Sequence, residues 1–296
     1  MYEHVPVMLS EVMTQLQVKP GSLVIDGTLG GGGYTLALAH AVGNKGKVLS
    51  IDLDDLALKN AKEILGAKKI KNVQLVKDNF KNIKEVVEEA FGQGVKVDGI
   101  VVDLGLSSAQ LADEKRGFSF QGDRPLDMAF GEDGLDTVKI INFYPLTELT
   151  RIFREYGEEK FAYQIAKKIV SFRREKKISD TKELRELIVS SVPGRFRHQA
   201  IHPATRVFQA LRMETNQELS ALKQFLPSAL DLLAPRGRLV VVSFHSGEDR
   251  IVKNFFRDHG RDELLVLTKK PLVPTPTEIQ VNPRSRSAKL RAASKR

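Results

Sequence analysis

Apolar and polar positions follow two rhythms along this chain. Over the first hundred residues, short β-branched runs at 22–26 (SLVID), 47–52 (KVLSID), 73–78 (VQLVKD) and 97–106 (VDGIVVDLGL) run out into Asp or Gly. Between them, 55–67 and 80–92 place apolar residues at helical spacing. Strands alternating with helices predict βαβ units and an α/β, doubly wound, largely parallel sheet covered on both faces. A fifth strand, 237–245 (GRLVVVSFH), arrives only after a long interval. From about 113 to 206 the pattern is helical and charged, with helices expected over 146–157, 158–177 and 180–192 and with Asp180 and Glu183 spaced as a capping box. The segment 202–233, whose Pro203 suits a first helical turn, brings the chain back to strand five. The predicted organisation is a main domain of 1–112 and 207–296 carrying an inserted helical domain, 113–206.

Composition adds a partner class. The 296 residues carry a formal charge of +9, which favours a polyanion, since Lys and Arg that neutralise phosphates release counterions. The last fifteen residues, NPRSRSAKLRAASKR, hold six basic side chains and no acid, and read either as a basic arm or as a solvated tail. With no cysteine, disulfides and thiolate metal sites are excluded. No apolar run reaches the roughly 18 residues of a membrane helix, and MYEHVPVMLSEV has neither a signal-peptide nor a transit-peptide pattern. A cytoplasmic protein is expected, with no membrane partner, no metal and no obligate protein partner.

The chemistry concentrates where strands end. DGTLGGGGYT (26–35) follows the first strand and opens a helix, so Gly30 to Gly33 allow a tight turn and close backbone approach to a ligand. The spacing is not the G-x-G-x-x-G of dinucleotide folds, which disfavours a nicotinamide oxidoreductase and suits the methyltransferase version of such a sheet. Asp52, ending strand two, is placed for ribose hydroxyls. Phe80, after strand three, suits either an adenine ring or the core. Asp103 ends strand four beside Ser107, Ser108 and Gln110, and Phe244 and His245 end strand five.

Several blocks then carry a family resemblance: EHVPVML (3–9), DGTLGGGGYT (26–35), DLGLSSAQL (103–111), RGFSFQGDRPLDM (116–128), HPATRVFQALRMETNQEL (202–219), SFHSGEDRIVKNFF (243–256) and NPRSRSAKLR (282–291). In order and across the whole chain they resemble the bacterial ribosomal RNA small subunit methyltransferase H family. The resemblance implies a Rossmann-like class I methyltransferase domain with a helical insert for RNA recognition. It also implies transfer of a methyl group from S-adenosyl-L-methionine to N4 of a cytidine in the decoding region of 16S rRNA, within the small ribosomal subunit. Carried over by motif position, the cofactor contacts implied are Gly32, Gly33, Tyr34, Asp52, Phe80, Asp103 and Gln110. Tyr34 stands where the family usually has His, which leaves its side chain, though not its backbone, outside the pattern.

Methyl transfer to a delocalised exocyclic amine needs N4 held near the methyl carbon and an acceptor for its N–H groups. Asp103 and Ser108 are the candidates, with Asp103 also wanted by the cofactor. A flipped base needs stacking faces, for which Phe118, Phe120 and Phe244 are candidates, each equally suited to a core. His245 shares the strand-five edge, and Arg116, Arg124, Arg206, Arg284 and Arg286 are candidate phosphate contacts. A ribosome-binding module without catalysis is the competing reading.

Overall fold

The computed structural model describes residues 6–106, 117–131, 134–197 and 201–296, which divide into one unit of 1–108 with 220–296 and another of 109–219. The second unit runs further towards the C-terminus than the expected insert of 113–206, because the helix Ala204–Thr215 packs among the other helices of that unit.

The first unit is built on seven strands: Leu23–Asp26 (β1), Lys47–Asp52 (β2), Val73–Lys77 (β3), Val97–Asp103 (β4), Leu233–Ser243 (β5), Leu264–Val266 (β6) and Lys289–Lys295 (β7). They lie in the order β3-β2-β1-β4-β5-β7-β6, with β1 to β5 parallel and β7 antiparallel to both β5 and β6. Alternation along each strand feeds two cores. Ile25, Leu49, Ile100 and Leu239 pack on one face with Val86, Val87, Leu222 and Phe225, while Val24, Val48, Val101 and Val240 pack on the other with Val12, Leu16 and Leu38. The apolar runs are therefore near-continuous, as a doubly covered parallel sheet requires. All parallel strands point their carboxyl ends the same way, which gathers Asp26, Asp52 and Asp103 on one edge.

The sheet differs from expectation at its C-terminal side. β5 starts at Leu233, which pairs with Val97 before a register shift; pairing resumes at Arg238 opposite Gly99. β6 and β7 go beyond the five strands that the apolar pattern predicts. β7 reads KLRAASK, without β-branched residues, yet its five central residues are buried between neighbouring strands. From Lys289 on, the C-terminal basic block is accordingly part of the sheet and not a free arm. Arg291 makes a bidentate pair with Asp249 (2.6 and 3.2 Å), Lys295 Nζ donates to the Leu230 carbonyl at 2.8 Å, and Arg296 Nε donates to the Leu264 carbonyl at 3.2 Å.

The second unit is helical in its described residues, with Thr137–Phe143, Leu146–Glu155, Ala162–Phe172, Thr181–Ser191 and Ala204–Thr215 burying Ile140, Leu149, Ile152, Phe153, Ile165, Ile169, Leu184 and Leu211. Asp180 caps Thr181–Ser191 by accepting from the Glu183 amide at 2.8 Å. The other half of the expected box is not formed, because the Glu183 carboxylate takes Lys176 Nζ at 2.7 Å. In the basic run 173–177, Arg173 donates to the Ile141 and Tyr144 carbonyls, so it ties helices together.

Candidate active site

The carboxyl edge of the first unit's sheet is organised by hydrogen bonds from the glycine-rich loop. The loop is pinned at both sides: the Gly27 amide donates to Val101 (2.8 Å) and the Leu29 amide to Ile51 (2.9 Å), both carbonyls of neighbouring strands. Gly32 has φ +77° and opens the helix Gly33–Val42, a conformation that costs a residue with Cβ strain. Gly33 is glycine for another reason, since a Cβ there would collide with the Pro6 ring. Loop shape and helix amides thus form the cradle expected of 26–35.

Three carboxylates face this cradle from adjacent strand ends. Asp26 is fully buried and accepts from the Thr35 hydroxyl (2.7 Å) and the Thr28 amide (3.2 Å). Burial pushes it up to about 6, against those hydrogen bonds. Asp52 accepts from the Gly30 amide (2.8 Å) and the Asp54 amide (2.9 Å), and burial raises it too. The Asp103 amide donates to the Thr28 hydroxyl at 2.6 Å, which fixes the end of β4 against the loop. Its carboxyl group is held well above the ordinary range by burial, reinforced by the negative charges of Asp26 and Glu248. Asp103 Oδ1 is buried and, among the described residues, accepts no hydrogen bond. A buried acceptor left open costs roughly 1–3 kcal/mol, which a ligand supplying a donor or positive charge would recover.

At the end of β5, His245 takes a role that its sequence context does not suggest. It N-caps the helix Ser246–Asp258, its Nδ1 accepting from the Gly247 (3.2 Å) and Glu248 (3.3 Å) amides. Glu248 completes a capping box by accepting from the Phe244 and His245 amides (2.9 and 3.3 Å). His245 Nε2 lies 3.0 Å from Glu248 Oε1 without the alignment of a hydrogen bond and is otherwise unpartnered. Asp249, next in the same first turn, holds Arg291 of β7. Much of the SFHSGED motif therefore fastens the sheet's last strands.

The other sequence-predicted residues sort as follows. The Tyr34 ring is 4% exposed, packed in the core with Val7 and Leu38, and its hydroxyl donates to the Val7 carbonyl, so its side chain serves the fold. Phe80 packs edge-on against Phe225 (5.3 Å between ring centroids) while standing beside Gly27. Phe244 is part-buried next to Gly105, just past β4. Arg284 and Arg286 are exposed on the turn Pro283–Ser287. Within the second unit, Phe118 is buried against Phe130, whereas Phe120 is part-exposed and stacks on His202 (4.8 Å, 19°). Arg206 borders a cavity of about 230 Å³ with His202, Phe161 and Phe196. The Arg124 carbonyl accepts from the Thr181 amide (2.9 Å) and the Arg124 amide donates to the Thr181 hydroxyl (3.1 Å). Ser107, Ser108, Gln110 and Arg116 lie outside the described residues. Asp26 and Thr28 are site residues that the sequence alone does not single out, although both stand in its most conspicuous motif.

Comparison with known proteins places this geometry. Residues 1–296 match the profile of the MraW methylase family. The chain is 43% identical to Ribosomal RNA small subunit methyltransferase H of Heliobacterium mobile, covering 99% of each, and 44% identical to the protein of that name from Carboxydothermus hydrogenoformans, covering 99% of the chain and 98% of the relative. Among solved structures, a Clostridium thermocellum protein assigned as an rRNA methylase is similar in fold, with a TM-score of 0.50 at 16% identity, over 99% of this chain and all of that one.

Proposed function

The chain belongs to the MraW methylase family, and from that membership we propose that it transfers the methyl group of S-adenosylmethionine to N4 of a cytidine in the decoding region of 16S rRNA. The end-to-end likeness to small-subunit rRNA methyltransferases carries this reading. The carboxyl edge of the sheet supports it independently. One buried acid, Asp26, two part-buried ones, Asp52 and Asp103, and an open acceptor, Asp103 Oδ1, suit a ligand bearing an ammonium and a sulfonium.

Bound S-adenosylmethionine supplies a methyl carbon activated by its sulfonium. The chain's own residues bind and orient. Gly32, Gly33 and the backbone of Tyr34 line the cradle, and Asp52 accepts from ribose hydroxyls. Phe80 stands by the adenine, and Gln110 is a further contact to the cofactor. Asp103 faces the positive end of the donor, and Asp103 or Ser108 accepts from the N4 amino group as charge develops there. Phe244, at the carboxyl edge of the sheet, is a stacking face for the displaced base. Arg116, Arg124, Arg206, Arg284 and Arg286 contact phosphates and set orientation without reading sequence. The helical unit recognises the RNA. Among the described residues no helix is long and apolar enough to cross a membrane. A cytoplasmic location follows from the ribosomal substrate.

The test is direct. Purified protein and labelled S-adenosylmethionine are incubated with small subunits from a strain lacking this modification, and digested rRNA is read by nucleoside mass spectrometry. N4-methylcytidine at one site is expected. Label on another atom, or none with subunits that a related enzyme does methylate, overturns the reading.

A further inference from the structure

The amino-terminal edge of the sheet, opposite the carboxylates, has a feature that methyl-donor binding does not use. A groove of about 950 Å³ opens there in the first unit, between the β1–β2 connection and the segment leading into β3. Lys45 and Lys47 line one wall and Lys68, Lys69 and Lys71 the other; all five are exposed, and no Asp or Glu lines the groove. None of the five takes part in an ion pair among the described residues. The walls are fixed, since Asn72 Nδ2 donates to the Ala39 and Gly43 carbonyls (2.8 and 3.0 Å), tying one side to the other. Lys47 Nζ lies 5.5 Å from the Phe91 ring centroid.

A local explanation covers part of this cluster. Lys68 and Lys69 follow the C-terminus of the helix Asp55–Ala67, where positive charge offsets the helix dipole. Lys45 likewise follows the C-terminus of the helix Gly33–Val42, but helix dipoles account for neither Lys47, which opens β2, nor Lys71, which leads into β3. Five unpaired like charges around one concavity repel each other and raise the local potential by an amount that a polyanion would relieve. Protein–protein interfaces are depleted in lysine and carry an apolar centre. This groove has the lysines, and none of the exposed large hydrophobics of the chain lies in it. The chemistry favours nucleic-acid phosphates over an acidic protein.

We infer that this lysine groove is a second contact surface for the phosphate backbone of the RNA substrate, separate from the catalytic edge. β2 has six residues, so the two edges stand roughly 17 Å apart at about 3.3 Å per residue. The groove therefore contributes binding that is the same before and during methyl transfer, which lowers KM and leaves kcat alone. The inference rests on the proposed RNA substrate.

The experiment compares the full chain with the triple variant Lys45→Gln, Lys69→Gln, Lys71→Gln, none of which belongs to the donor site. Affinity for S-adenosylhomocysteine, by calorimetry, is expected to be unchanged and serves as the check on folding. KM for small subunits should rise about tenfold with kcat retained. The slope of log Kd against log salt for protein-free 16S rRNA should fall by about 2, at roughly 0.7–0.9 for each phosphate no longer neutralised. Unchanged KM and an unchanged salt slope in a folded variant overturn the groove while leaving the methyltransferase reading intact. Lysine-dependent rRNA binding without methyl transfer by the wild type would do the reverse. If the substitutions weaken binding to intact subunits but not to protein-free rRNA, the groove meets a ribosomal protein and the inference fails.

Discussion

Asp103 illustrates how one side chain can be read from its surroundings. Its amide is locked to Thr28, and its buried Oδ1 has no partner among the described residues. A side chain kept in that state without a ligand would be a net cost to the fold. Asp103→Asn keeps the shape and removes the charge. Turnover at saturating donor is expected to fall about 10²–10³-fold, the range for removing one preorganised electrostatic group, measured by single-turnover label transfer to small subunits. Near-normal turnover would remove Asp103 from both of its proposed duties. Tyr34 shows the opposite case. Its departure from the family's usual His falls on a side chain that points into the core, so the residue serves packing through its ring and hydroxyl.

The junction between β7 and the helix Ser246–Asp258 joins two motifs that look unrelated in the chain. Asp249 and Arg291 are 42 residues apart, and their bidentate pair is largely shielded, with side chains 14% and 7% exposed. Removing Asp249 leaves the shielded Arg291 uncompensated, which costs about 3 kcal/mol, whereas removing Arg291 still leaves Asp249 with Lys289 Nζ at 4.0 Å. Asp249→Ala should lower the urea midpoint by that equivalent and Arg291→Ala by less, and the double variant should lose less than the sum. Strict additivity would show that the pair is not coupled. The same junction explains what is and is not legible in the sequence. Strands β1 to β4 and the helix Asp55–Ala67 are legible because apolar periodicity and strand-end acids coincide there. β7 is illegible because Ala and Ser fill a position whose burial is imposed by its neighbours, and Arg291 resembles a phosphate ligand until its distant acid comes into view. His245 stands out in the sequence as a functional residue for the same reason. Its capping role depends on amides that only the folded turn presents. The glycine-rich loop is the most legible part of the site, although Gly33 answers to Pro6 as much as to any ligand.

The first unit as a whole trades stability for this edge. Its strand ends gather Asp26, Asp52 and Asp103, and burial raises all three. Asp26 is raised from 3.8 to about 6, so between these values the folded protein holds a proton that the unfolded chain has released. Stability from this group is full below pH 4 and declines as pH rises through about 6, a loss of about 3 kcal/mol at 1.36 kcal/mol per unit. That direction is the reverse of an acid engaged in a salt bridge. Asp26→Asn should therefore flatten the pH dependence: from pH 4 to pH 7 the wild type loses stability relative to the variant, as measured by urea unfolding at each pH. Parallel curves for the two proteins would show that Asp26 is not strained by its burial. A cationic donor placed among these acids favours their ionised forms, so S-adenosylmethionine should narrow the gap between the two curves at neutral pH. On the proposed reading, the positive charge of S-adenosylmethionine is what offsets the cost of three carboxylates at one edge.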